Sequence, residues 1–294
     1  MKLENRDYLR EISYSETING VAKEYADIDK VDWVSKTDFR YRIAEIIKKN
    51  NLEYVDQHSK PVYYRKTVYN QFGKRLLDII LSGTALIILA PVNIVLAICT
   101  FFDVGWPIMF SQYRIGKDGK RFSIIKFRNM TNEKDENGEL LPAEKRVTRF
   151  GRFVRKTSLD ELLNFWSVFK GDMSIIGPRP LPEGYMDRFS NRHKQRHLVR
   201  PGLECPVLKG GSFRSSWTKQ FENDIYYVEN ISLLLDIKMC IALVRMTFDR
   251  KSSKKRGDSN AGTFMGYEKN GECINSHRVP VEYLCCEDDG NGEI

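Results

Sequence analysis

The sequence predicts an α+β chain: a mostly helical, membrane-associated domain with a re-entrant membrane helix hairpin, interfacial amphipathic helices and a small β-hairpin. Three observations predict it. Residues 79–102, IILSGTALIILAPVNIVLAICTFF, carry no charge and are long enough to reach across a bilayer. Two short apolar runs, PIMFSQY and RFSIIKF, flank the turn-forming Lys117-Asp118-Gly119-Lys120 and read as paired strands. Helical runs dominate elsewhere, most clearly over 38–51, 157–170 and 231–248.

Composition narrows the partners. The 294 residues suffice for one core plus appendages, and the formal net charge of +8 implies a basic face. That face suits nucleic acid, anionic lipid or a phosphorylated substrate. With no RNP, zinc-finger or helix-turn-helix signature, nucleic acid is not expected. The six cysteines are scattered, one of them (Cys99) inside the apolar segment, which fits a reducing compartment better than a disulfide scaffold. The start, MKLENRDYLR, is too polar and acidic to open a signal peptide.

Four regions follow along the chain. Residues 1–71 read as a charged, helical extension of unknown role. In DFRYRIAEIIKKNN, Phe39, Ile43, Ile46 and Ile47 fall at helical spacing, with start signals at Ser35–Asp38 and a stop at Asn50-Asn51. Residues 72–103 form the membrane segment. Pro91 sits in its middle, where it removes a helix hydrogen bond and clashes with the preceding turn. Both flanks are basic: Lys60, Arg65, Lys66, Lys74 and Arg75 before it, Arg114, Lys117, Lys120 and Arg121 after it. A single span normally shows Lys/Arg asymmetry, so the expected form is a helix broken at Ala90-Pro91 that enters and leaves on one face. Asp78 is expected to snorkel to the interface beside Lys74 and Arg75.

Residues 104–248 make up the expected catalytic domain. Trp106, Phe110 and Tyr113 suit a membrane interface. Lys126 and Arg128, two apart on a strand, share a face that could meet a diphosphate, although a solvated strand face explains the spacing equally well. The polar run 131–147 reads as a surface loop, followed by Arg152, Arg155 and Lys156. Residues 183–199 form a basic amphipathic stretch suited to a membrane surface. Its His193 and His197 lack nearby acidic or cysteine partners, so no metal is expected there. The run 231–248 is apolar but interrupted by Asp236, Lys238 and Arg245, hence core or half-immersed rather than spanning. Residues 249–294 read as a basic linker and a loose acidic tail, and Cys273, His277, Cys285 and Cys286 match no standard zinc spacing.

The chemistry concentrates in 157–180, TSLDELLNFWSVFKGDMSIIGPRP. Ser158-x-x-Glu161 reads as a capping box, which places Asp160 in a first helical turn. Exposed N–H groups there favour an anion and would lower its pKa, keeping it ionised as a nucleophile must be. A capped helix start attracts acids in any case, so spacing alone decides nothing. Adjacent helical residues point about 100° apart, which favours separate roles for the pair. Pro178 and Pro180 restrict the backbone around Arg179 and lower the entropy cost of a bidentate hold on phosphate.

LDEL followed by KGDMSIIGPRP, together with KRLLDIILS, KFRNM, TRFGRFVRKTSLDEL and RPGL in this order, resembles the bacterial sugar transferase family, the monotopic phosphoglycosyl transferases. The likeness covers roughly residues 72–248. It implies transfer of a sugar-1-phosphate from a UDP-sugar to undecaprenyl phosphate, with release of UMP, as the first membrane step of glycoconjugate biosynthesis. It also implies Asp160 as nucleophile, Glu161 as a Mg²⁺ ligand and a re-entrant hairpin hinged at Ala90 and Pro91 on the cytoplasmic leaflet of the inner membrane. Lys126, Arg128, Arg155, Pro178 and Arg179 are the expected substrate contacts, and a homodimer stays open. The chain departs from the family pattern at Ala90 (usually Ser), Asn129 (usually Ser), Leu162 (often Pro) and LECPVL after RPG. A catalytically degenerate membrane anchor and a UDP-sugar hydrolase are therefore the alternatives.

Overall fold

A computed structural model describes residues 12–18, 21–30, 36–136, 138–207, 216–248 and 262–285. The chain opens on a β-hairpin rather than the expected helix: β1 (Ser13–Ile18) runs antiparallel to β2 (Val21–Ala26). Helix α1 (Lys36–His58) then buries Ile43, Ala44, Ile47 and Val55 on one face. It continues past the expected stop at Asn50-Asn51. The buried Asn51 side chain donates to the Tyr267 carbonyl and to the Tyr283 hydroxyl, both at 2.6 Å, so a tertiary contact overrides a weak local preference.

A π-helical turn (Tyr69–Gly73) leads into α2 (Lys74–Val104), 31 residues long with Pro91 inside. The expected break at Pro91 does not appear. One missing N–H removes a single rung, and the bonds on either side carry the helix through. The stretch Tyr69–Val104 is long and apolar enough to cross a membrane, and its most apolar window is only 11% buried. Both ends rest on the same domain. At the first end, Asp236 accepts from Lys74 Nζ (2.8 Å), Tyr69 Oη (2.5 Å) and Tyr227 Oη (2.7 Å). Asp78 does not snorkel; it is buried and accepts from Ser174 Oγ at 2.9 Å and Ile175 N at 3.0 Å. At the far end, Leu96 packs against Phe127 and Val154, and Asp103 accepts from Thr148 Oγ1 at 2.6 Å. Between these anchors Ile87, Ile88, Val92, Ile94 and Val95 are exposed.

The anticipated hairpin is present as β3 (Met109–Ile115) and β4 (Arg121–Phe127). Helices α3 (Arg149–Thr157) and α4 (Asn164–Lys170) follow, and β5 (Ser174–Ile176) pairs in parallel with β6 (Gly202–Glu204). The basic stretch 183–199 does not lie on the surface: Arg188, His193, Arg196 and His197 are buried. Arg196 pairs with Asp224 at 2.6 Å, and His193 meets Tyr267 Oη and Glu222. Charges that look like a lipid-facing stripe in the sequence are thus satisfied by partners from later in the chain. Helices α5 (Trp217–Asn230) and α6 (Leu233–Phe248) complete this part. In α6, Leu235 and Met239 are buried while Leu233, Leu234, Ile237, Ile241 and Val244 form an exposed apolar face.

The C-terminal region is not a loose tail where it is described. β7 (Phe264–Tyr267) and β8 (Cys273–Asn275) form a hairpin, and β9 (Val279–Pro280) joins the first sheet in the order β1-β2-β9. The basic linker and the acidic end lie outside the described residues. Cys99, Cys205, Cys240, Cys273 and Cys285 are free thiols.

Asp236 holds three donors at the base of the membrane helix. Asp236→Ala strands the buried Lys74 ammonium and is expected to cost about 3–5 kcal/mol, read as a lowered unfolding midpoint in detergent.

Candidate active site

The site is assembled around two close backbone contacts and one left-handed residue. Thr148 caps α3, accepting from Gly151 N at 2.7 Å. A Cβ on Gly151 would stand 2.2 Å from the Asn129 carbonyl, so only glycine lets the end of β4 approach this helix. Ser158 closes α3 in the left-handed region (φ 58°), giving its N–H to the Arg155 and Val154 carbonyls. It is therefore a C-cap, and the expected capping box does not form. Residues Leu159–Glu161 make a single 3-10 turn that points Asp160 inward and frees the Glu161 side chain.

Glu161 is where distant parts of the chain meet. Its Oε1 accepts from Lys126 Nζ at 2.6 Å and from Arg179 NH2 at 2.8 Å. Arg179 also lies 3.6 Å from Glu204 and donates to the Leu203 carbonyl at 3.3 Å. Its loop is fixed by a bond from Gly202 N to the Pro178 carbonyl. The two cations hold Glu161 far below the usual carboxylate range, and Glu161 in turn raises Arg179 further.

Asp160 behaves oppositely. Burial pushes its carboxyl up from an ordinary value near 3.8 to about 6, with the Glu161 charge adding to the rise and Lys126 and Arg155 opposing it. This corrects the lowered pKa that a helix N-terminus would have given. Asn129 Nδ2 donates to Asp160 Oδ2 at 3.2 Å. The two acids thus face different partners, as their adjacency in the chain suggests.

Of the expected contacts, Lys126, Glu161 and Arg179 meet directly and Asp160 lies beside them. Arg155 is exposed on α3 and reaches Asp160 only through space. Arg128 turns away from Lys126 and donates to the carbonyls of Val104 and Gly105 at the end of α2. The regular strand ends at Phe127, so the alternation that would have aligned the two cations stops before Arg128. Ala90 and Pro91 lie in the exposed middle of α2. A cavity of about 200 Å³ opens beside Glu161, Lys126 and Arg179, and Arg114, Tyr185 and Trp217 also line it. Those three did not stand out in the sequence as site residues. An arginine two positions after Gln112 and aromatics separated by more than thirty residues carry no local signal.

A divalent cation fits the donor set. Both ion pairs of Glu161 fall on Oε1, which leaves Oε2 without a described hydrogen bond. Such hard oxygen donors suit Mg²⁺ shared with substrate phosphates.

The model of the family described as bacterial sugar transferase matches residues 69–250, more than half of the chain. Among similar curated proteins, an uncharacterized sugar transferase, EpsL, of Bacillus subtilis (strain 168) is 38% identical over 198 residues, 66% of this chain and 96% of the relative. A UDP-N-acetylgalactosamine-undecaprenyl-phosphate N-acetylgalactosaminephosphotransferase of Aeromonas hydrophila is 36% identical over 59% of this chain and 43% of its own length. A UDP-glucose:undecaprenyl-phosphate glucose-1-phosphate transferase of Klebsiella pneumoniae is 35% identical over 63% of this chain and 42% of its own length. The chain therefore spans less than half of these last two relatives.

The raised Asp160 pKa has a stability consequence. Because the folded value lies above the unfolded one, the ionised group opposes folding at pH 8 and stops doing so once both states are protonated. Asp160→Asn is expected to stabilise the protein at pH 8 by on the order of 2 kcal/mol. The difference should shrink through pH 6 and be gone below about pH 4, as followed by thermal unfolding across that range.

Proposed function

We propose that this chain, which belongs to the bacterial sugar transferase family, transfers a sugar-1-phosphate from a UDP-sugar to undecaprenyl phosphate. The observation that carries the reading is the pairing of a buried, upshifted Asp160 with a Glu161 locked between Lys126 and Arg179. Phosphoryl transfer asks for charge neutralisation and an oriented nucleophile, and these residues offer both.

In the first half-reaction an Asp160 carboxylate oxygen attacks the β-phosphorus of the donor. The bond from that phosphorus to the bridging oxygen breaks, and UMP leaves with the oxygen and its electron pair. The sugar-1-phosphate stays on Asp160 as an acyl phosphate. In the second half-reaction a phosphate oxygen of the lipid attacks the same phosphorus, and the Asp160 carboxylate is released. Lys126 and Arg179 sit within reach of the donor phosphates, with Arg179 fixed by its prolines and by Glu204. Arg155 adds positive potential near the nucleophile. Glu161 is the residue that would hold Mg²⁺, and the ion when bound would supply further neutralisation of the diphosphate.

The membrane placement follows from the anchoring of α2. Both of its ends are bonded to one domain, the exposed residues lie between them, and α6 adds a second exposed apolar face. We read α2 as re-entrant, its apolar middle entering a single leaflet while both of its ends stay on the same domain. Basic flanks on both sides support the reading that this leaflet is the cytoplasmic one of the bacterial inner membrane. The acceptor phosphate then lies at the depth of the site, and the reaction serves as the first membrane step of a glycan pathway.

The test is UMP release from a panel of UDP-sugars by detergent-solubilised protein with Mg²⁺ and undecaprenyl phosphate. Wild type should turn over in a lipid-dependent way, and Asp160→Asn should lose activity by at least about 10³-fold. Release without lipid turnover would indicate a hydrolase, and silence of folded protein across the panel would indicate an anchor. Because attack needs the ionised carboxyl, kcat/KM should fall about tenfold per pH unit below about pH 6 and level off above it, measured with a donor whose own titration lies outside that window. Arg179→Lys keeps the charge but loses the planar fork that spans Glu161 and the Leu203 carbonyl. It is expected to lower kcat/KM roughly 10–100-fold in the same assay.

A further inference from the structure

The family match stops at residues 69 and 250, yet the chain on either side of it forms one structural unit. β2 pairs with β9 through Tyr25↔Pro280 and Ala26↔Val279. The core beneath that sheet is drawn wholly from the two chain ends, with Ala26, Ile43, Ile47, Met265, Ile274 and Val279 at its centre. This terminal module carries no chemistry of its own in the proposed reaction. What it touches, however, is the cavity wall.

The contact runs through β7. This strand is bulged between Phe264 and Gly266, and its neighbouring residues serve two cores. Met265 packs into the terminal module, whereas Phe264, fully buried, packs into the transferase domain. The Phe264 ring lies edge-on to Tyr185 with centroids 5.8 Å apart, 6.1 Å from Trp217, and 5.1 Å from Phe221. Its backbone is bound on both sides: Phe264 N donates to Tyr185 Oη at 3.2 Å, and Arg188 donates to the Phe264 carbonyl at 2.9 Å. Next to Trp217, Thr218 Oγ1 accepts from Cys273 N at 2.8 Å. Tyr185 and Trp217 stand edge to face, 5.9 Å apart, and both line the cavity that opens beside Glu161, Lys126 and Arg179.

We propose that the module built from the two chain ends sets the aromatic wall of the donor cavity, with Phe264 as the positioning residue that fixes Tyr185 and Trp217. The wall lines the same cavity as Lys126 and Arg179, so a diphosphate held by those cations would bring an adjoining ring of the donor against it. This rests on the UDP-sugar reading given above. Phe264 touches no substrate and acts only through the two rings, so its effect belongs in donor binding rather than in the chemical step.

The test compares wild type with Phe264→Leu, which keeps the position apolar, and Tyr185→Phe, which keeps the ring and removes the hydroxyl that accepts from Phe264 N. Both are assayed by UMP release in full-length protein, with thermal unfolding as the control on folding, and inhibition by added UMP is followed as loss of sugar-phosphate transfer to the lipid. Phe264→Leu should raise the donor KM roughly tenfold with kcat within about twofold of wild type, and Tyr185→Phe should move KM in the same direction by less. A parallel rise in the UMP inhibition constant assigns the wall to the nucleoside. An unchanged inhibition constant with an altered ranking of UDP-sugars assigns it to the sugar. Folded variants with wild-type KM, inhibition constant and ranking overturn the inference. If Phe264→Leu does not fold, Tyr185→Phe decides alone by the same criteria. Wild-type protein that neither turns over nor binds UDP-sugars would instead overturn the reaction on which the inference rests.

Discussion

Everything in the site depends on one carboxylate oxygen. Glu161 Oε1 draws together Lys126 from the β-hairpin and Arg179 from the Pro-Arg-Pro loop, and the turn that carries Glu161 also carries Asp160. Two cations on one half-buried acid would repel each other if the acid were missing, and the acid would resist even partial burial without them. The arrangement thus keeps cations in place for an anionic ligand before that ligand arrives, so little reorganisation is left for the moment of reaction.

The same logic explains why two adjacent acids differ so much. Glu161 is fully ionised because it is paired, whereas Asp160 is desolvated and meets the Asn129 amide and a backbone N–H rather than a cation in direct contact. A poorly solvated carboxylate is a better nucleophile than a paired one, and it is also the less stable arrangement for the fold. Asn129, which looked like a departure from the family pattern, contributes the side chain that faces Asp160. At the membrane end, Asp236 and Asp78 repeat the principle in a structural role, Asp236 gathering donors from Tyr69, Lys74 and Tyr227 and Asp78 gathering two from β5.

How much of this could be read from the sequence depended on how local each cause is. The β-hairpin around Lys117–Lys120, the apolar segment and the choice of Asp160, Glu161 and Arg179 as residues of one site, though not the ion pairs of Glu161 with Arg179 and Lys126, are set by residues close in the chain or by a motif string. They were legible. The capping box failed because Ser158 ends one helix instead of starting the next, and a left-handed serine has no sequence signature. The lipid-facing reading of 183–199 failed because the partners of Arg196 and His193, Asp224 and Glu222, lie on a helix that packs from later in the chain. The N-terminal hairpin did leave a local signal, Asn19-Gly20 between Ile18 and Val21, which a helical reading of this charged region passes over. The pairing of the chain ends could not be seen at all, since β2 and β9 are separated by the whole transferase domain.

The central claim is that Asp160 becomes covalently loaded. The most direct measurement is mass spectrometry of the protein quenched after brief exposure to a turned-over UDP-sugar and Mg²⁺ without lipid acceptor, followed by peptide mapping. The account predicts an added mass equal to one sugar phosphate, located on Asp160 and discharged when undecaprenyl phosphate is supplied. Turnover of the same donor with no adduct at any quench time, or with the adduct on another residue, would contradict it.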